Sequence, residues 1–97
     1  MDFLNEIGIE NSIIEEIIKY NGEAILLDLD SYYENVKSNY LILKEMGITC
    51  INELLIYKLD IFFVDTETLK NSLRKINNLE NFVLKVNNDF YNIDELL

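Results

Sequence analysis

The chain has 97 residues, a formal net charge of −10, 49% hydrophobic and 11% aromatic residues, one cysteine and no histidine. That is room for one small domain with enough apolar material to fold despite its charge. It excludes an intrachain disulfide and the histidine-based zinc and haem ligand sets, and it disfavours partners held by phosphate, since nucleic-acid affinity comes largely from Lys and Arg.

The charge is uneven. Residues 1–34 carry nine acids and one base, 35–79 five acids and six bases, and 80–97 four acids and one base. The N-terminal stretch is acidic where a secretory signal is basic. The longest aliphatic or aromatic runs, Ala24–Leu27 and Ile61–Val64, are too short to cross a bilayer. The expectation is a cytoplasmic protein with no membrane association. Heavy use of Ile, Asn and Lys points to an AT-rich bacterial or phage genome.

Taken in chain order, an apolar helical stretch stops at Gly8, where a residue without a side chain makes the best left-handed cap. A short helix follows, with Ser12-Ile-Ile-Glu15 at capping-box spacing and Ile13, Ile14, Ile17 and Ile18 as its buried stripe. An apolar cluster then ends in Asp28, placed to cap a long helix over Ser31 to Met46. On that helix Tyr32, Tyr33, Val36, Tyr40, Ile42, Leu43 and Met46 cover about half the circumference, the mark of a central helix gripped on two sides.

The same ladder then recurs. Leu4-Asn-Glu-Ile-Gly-Ile-Glu10 aligns with Leu43-Lys-Glu-Met-Gly-Ile-Thr49, and Ile25-Leu-Leu-Asp28 with Phe62-Phe-Val-Asp65. Gly47 is the second stop and Thr49 the second N-cap. Ile51, Leu54 and Leu55 form the second short stripe, and Asp65 the second cap. Leu69, Leu73 and Ile76 make a narrow stripe on an outer helix, with Phe82, Val83 and Val86 next and Ile93, Leu96 and Leu97 in a terminal one. Alternation long enough for a strand is absent. The expected fold is therefore all-α: a single small domain, a short solenoid-like bundle of two tandem helix-loop-helix repeats (about 4–42 and 43–78) and a degenerate third (about 79–97).

This unit, a long helix ending in Leu-Lys-Glu-Met-Gly-Ile (43–48), a short helix, an apolar turn and a capping Asp, resembles the repeats of the mitochondrial transcription termination factor family over residues 1–76. The resemblance implies stacked helical triplets curving around a basic, nucleic-acid-binding face. Two departures stand out: Asn21-Gly22 and Leu59-Asp60 replace the family's proline before the apolar turn, and a basic face is not evident.

No catalytic, cofactor-binding or metal constellation emerges. Asp28-Leu-Asp30 superficially matches the nucleophile motif of haloacid-dehalogenase-like phosphatases, yet those enzymes need a doubly wound sheet and further motifs. A calcium loop fails because Tyr32 and Tyr33 stand where an oxygen ligand and a glycine are required. Cys50 has no histidine to activate it and reads as a small core residue. Of six tyrosines, one or two are expected at an interface and the rest in the core.

The leading functional expectation is a non-enzymatic acidic protein-protein interaction module, without cofactor, docking through a groove between its units. Its partner is a protein, a basic one fitting best, and homo-oligomerisation is compatible. A second expectation is an inhibitor that mimics nucleic-acid charge, as some phage anti-CRISPR proteins do, with Glu15, Glu16, Glu23, Asp28, Asp30 and Glu34 as its acidic face. The third is nucleic-acid binding through the basic edge Lys70, Arg74 and Lys75.

Overall fold

The computed structural model describes residues 2–97, with side chains from Leu4 onward. Met1, the first residue of the acidic N-terminal stretch and of the family-like segment, lies outside the described residues. Among them every element is helical: α1 (Asp2–Glu6), α2 (Asn11–Asn21), α3 (Ile25–Ser31), α4 (Tyr33–Glu45), α5 (Ile51–Tyr57), α6 (Asp60–Phe63), α7 (Thr66–Arg74), α8 (Leu79–Asn88) and a terminal 3₁₀ helix (Phe90–Leu96). The protein is a small all-α domain. Of the two apolar runs, residues 25–27 are wound into α3 and 61–63 into α6, with Ala24 just before the first and Val64 just after the second.

Most of these helices are shorter than the roughly 12 residues that hold a helix together alone, so burial of one face has to stabilise them. In α2, Ile14 and Ile17 are buried, Ile13 and Ile18 are partly covered, and Glu15 and Glu16 point outward. The central helix α4 packs against α3, α5, α6 and α7, and it buries Val36, Tyr40 and Leu43 completely or nearly so. Tyr32, expected on its apolar arc, is instead 58% exposed, because it is the joint between α3 and α4 rather than part of either.

Both glycine stops have the same geometry. Gly8 has φ +97° and Gly47 φ +98°. The Gly8 N–H donates to Asn5 O (3.0 Å) and the Ile9 N–H to Leu4 O (2.9 Å); the Gly47 N–H donates to Lys44 O (3.1 Å) and the Ile48 N–H to Leu43 O (3.3 Å). This is the Schellman arrangement, which satisfies two carbonyls at the helix end and brings together the apolar residues on either side of the glycine. Leu4, Ile9, Leu43 and Ile48 are accordingly all buried. A Cβ at Gly8 would meet nothing within 4 Å, and one at Gly47 only Val83 Cγ1 at 3.8 Å. The cost of Ala at either site is thus a backbone cost, about 1–2 kcal/mol. We expect Gly8→Ala and Gly47→Ala to lower the urea midpoint by nearly equal amounts. A loss several-fold larger at Gly47 would show that packing against Val83 governs that turn.

The expected caps fare unequally. Asp65 is the N-cap of α7 and accepts from the Thr68 N–H at 3.4 Å. Asp28 is not a cap: the chain stays helical through it to Ser31, so it lies inside α3, and α4 begins after Tyr32 without a side-chain cap. Ser12 and Thr49 are not caps either, since α2 starts after Glu10 and α5 after Cys50, both without side-chain capping. The Thr49 N–H donates instead to Asn87 Oδ1 (2.8 Å), and Asn87 Nδ2 donates to Gly47 O (3.0 Å). One asparagine of α8 therefore ties the C-terminal segment to the second glycine turn.

That segment completes the core with Phe82, Val86, Ile93 and Leu96, whereas Leu97 is 59% exposed. The radius of gyration, 12.9 Å, is close to the roughly 12.5 Å of an ordinary globular chain of this length.

Candidate functional site

The six acids singled out from the sequence occupy three successive elements and one connection. Glu15 and Glu16 are on α2 beside the buried Ile14 and Ile17, Glu23 lies between α2 and α3, Asp28 and Asp30 flank the buried Leu29 on α3, and Glu34 is in the first turn of α4. All six are exposed, and among the described residues none joins an ion pair. Their outward placement follows from helical spacing: burying Ile14, Ile17 and Leu29 turns the intervening carboxylates to water.

Asp28 has a further setting. With Tyr32 and Phe63 it lines an open depression of about 390 Å³. The Tyr32 and Phe63 rings meet edge to face, centroids 5.8 Å apart, the geometry that ring quadrupoles favour. Leu27 beside it is 72% exposed. Acidic and apolar groups thus share one stretch of surface, an association that the charge count alone did not reveal.

The basic edge is less free than its composition suggests. Lys70 Nζ lies 3.5 Å from Glu67 Oε1 and an Arg74 guanidinium N–H donates to Asn71 Oδ1 at 2.7 Å. Lys75 is exposed and shares an open depression of about 370 Å³ with Lys85 and Glu95, and Lys85 lies 3.9 Å from Glu95.

A second surface was not foreseen. Tyr20 of α2 packs edge to face on Tyr57 of α5 (4.9 Å), Tyr57 stacks on Phe90 (5.6 Å), and Phe90 contacts Tyr91 (4.4 Å). The ribbon ends at Lys58, whose ammonium lies 4.8 Å from the Tyr91 ring centre and 2.9 Å from Asp94 Oδ2. The hydrogen bond to Asp94 holds the Lys58 ammonium above its ordinary pKa. Tyr20, Tyr57 and Tyr91 are 61%, 41% and 57% exposed, far more than rings serving only as core. The sequence signal was the number of tyrosines; their meeting required the packing of α2 on α5 and the docking of the 3₁₀ helix.

Cys50 is half-buried and its thiol donates to Val86 O at 3.4 Å. Burial, and then the charge of Glu53, push its pKa up, the opposite of what activates a nucleophile. The phosphatase-like Asp28 and Asp30 are on a helix, not at the end of a strand. Among the described residues no cluster of three or more His, Cys, Asp or Glu is arranged to hold a metal, and no helix is long and apolar enough to cross a membrane. Comparison with protein-family models, with curated proteins and with solved structures finds no match.

Proposed function

We propose that this protein is a non-enzymatic, acidic interaction module that binds a basic protein partner. One observation carries the reading: of the exposed carboxylates with no internal cation, Asp28 lines an open depression together with the exposed Tyr32 and the half-buried Phe63. Unpaired carboxylates steer and select a basic partner, and exposed rings supply the desolvated contact that holds it. Recovery of the tagged protein from its native cells at low salt is expected to bring down a basic partner, with binding lost as salt rises. Joint substitution Glu23→Gln, Asp28→Asn, Asp30→Asn and Glu34→Gln is expected to weaken that complex by at least ten-fold. Recovery of bare monomer at every salt concentration would sink the proposal.

The charge-mimic reading is a narrower form of the same idea. It is favoured by the exposure of Glu15 and Glu16 on α2 and of Asp28 and Asp30 on the neighbouring α3, and it requires that DNA or RNA compete for the recovered partner. Direct nucleic-acid binding, which the family resemblance implies, would have to use Lys70, Arg74 and Lys75; the first two already face Glu67 and Asn71, and Lys75 is outside any ion pair among the described residues.

A further inference from the structure

The aromatic ribbon across α2, α5 and the 3₁₀ helix is separate from the α3–α4 acids, and its chemistry is more specific. Each of its exposed tyrosines has a carboxylate one helical turn away on the same face. Glu16 precedes Tyr20 by four residues in α2, and Glu53 precedes Tyr57 by four in α5. Asp94 follows Tyr91 by three in the 3₁₀ helix, where residues three apart eclipse. All three carboxylates are exposed. A ring face attracts a cation through its quadrupole, and a carboxylate beside it supplies the counter-charge. One of the three pairs already holds a cation: the Lys58 ammonium lies over Tyr91 and against Asp94. Among the described residues the other two, Tyr20 with Glu16 and Tyr57 with Glu53, have no such ammonium. The base next to Tyr20 in sequence, Lys19, forms no ion pair among the described residues, and the base next to Tyr57, Lys58, is already engaged by Tyr91 and Asp94.

From this juxtaposition we infer that the ribbon is a docking surface for an arginine-bearing segment of a protein partner, its guanidinium groups stacking on Tyr20 and Tyr57 while Glu16 and Glu53 accept their hydrogen bonds. The inference rests on the acidic-module reading and adds to it the face used and the partner's side chain. Arginine fits better than lysine because its planar, weakly hydrated guanidinium stacks on an exposed ring and keeps donors free at its edge. A net charge of −10 on the chain favours the approach of such a segment.

The test is titration of the isotope-labelled protein at low salt with a short synthetic peptide of alternating arginine and glycine, followed by amide chemical shifts. The largest shifts are expected in 16–20, 53–58 and 90–94. Tyr20→Ala with Tyr57→Ala is expected to weaken binding roughly ten-fold, while Tyr20→Phe with Tyr57→Phe, which keeps the rings, changes it little. Should the alanine pair unfold, Glu16→Gln with Glu53→Gln leaves the packing intact and is expected to weaken binding about three- to ten-fold. A lysine–glycine peptide should bind less tightly. Shifts centred on 23–34 would overturn this inference and leave the acidic module standing. So would affinity indifferent to both the ring and the carboxylate variants, or the same ribbon shifts appearing with protein concentration alone, which would make a second copy the occupant. Absence of peptide binding beside a successful partner recovery would remove the arginine ribbon alone; recovery of bare monomer would remove the module.

Discussion

Phe62→Ala is expected to cost about 3–5 kcal/mol, the range for emptying an aromatic site in a core that closes only partly behind it. Phe62 is the largest of the fully buried side chains. It sits on α6, a helix of four residues that has no stability of its own and is held by packing against α4. A domain of this size has roughly 5–15 kcal/mol in total, so the variant should lose between about a fifth and all of its stability. Thermal unfolding should fall by about 15–30 °C. Phe62→Leu keeps most of the volume and should cost less than about 1.5 kcal/mol. A urea series settles the matter: the midpoint should drop with the slope unchanged. If Phe62→Ala costs no more than Phe62→Leu, α6 is not the keystone its position suggests.

How much of this was legible beforehand depends on what each feature needs. The glycine stops at 8 and 47 were, because a left-handed residue followed by an apolar one is a local pattern and both turns use it with the same hydrogen bonds. The buried stripes of α2 and α5 were, because burial of Ile14, Ile17, Leu54 and Leu55 follows helical spacing. Side-chain caps were not, apart from Asp65. Whether Ser12, Asp28 or Thr49 caps a helix depends on where the backbone leaves the helical region, and the structure starts α2 after Glu10, α4 after Tyr32 and α5 after Cys50.

The candidate surfaces divide along the same line. That Glu15, Glu16, Asp28 and Asp30 face water follows from the apolar residues beside them. The depression joining Asp28 to Phe63 does not, since these residues are far apart in sequence and meet only when α6 folds over α4. The aromatic ribbon is still less local: it draws on α2, α5 and the 3₁₀ helix, so no window of sequence contains it. Periodicity reports which side of a helix is buried, not which neighbour buries it.

Asn39 is where that distinction has the largest consequence. On a helical wheel it was one more polar residue of α4, yet it is fully buried. Its Nδ2 approaches Ile61 O (3.1 Å), Phe62 O (3.2 Å) and Val64 O (2.6 Å), and its Oδ1 accepts from Thr66 Oγ1 (2.9 Å). One turn earlier Asn35 Nδ2 donates to Phe62 O (3.0 Å) and Val64 O (2.8 Å), and its Oδ1 accepts from the Thr66 N–H (3.2 Å). The two amides of α4 thus satisfy carbonyls that a four-residue helix and the turn after it leave without partners.

Asn39→Ala should therefore cost about 1–3 kcal/mol, because Ile61 O loses its side-chain donor, Phe62 O and Val64 O each keep only Asn35, and Thr66 Oγ1 keeps only Asn35 Oδ1. Thr66→Val should cost less, since it leaves one acceptor, Asn39 Oδ1, without its hydroxyl while Asn35 Oδ1 keeps the Thr66 N–H. The double variant should lose less than the two separate effects added together, with a coupling of about 0.5–1.5 kcal/mol. Asn39→Asp sharpens the test. It preserves shape, but an ionised carboxylate would face three carbonyls, so burial and repulsion raise its folded-state pKa above the unfolded value near 3.9. Only the protonated acid can donate. The variant should be most stable below about pH 4 relative to the parent and lose that stability as pH rises through the folded-state value. If Asn39→Ala is nearly neutral and Asn39→Asp shows no such pH dependence, the polar seam does not hold α6 in place.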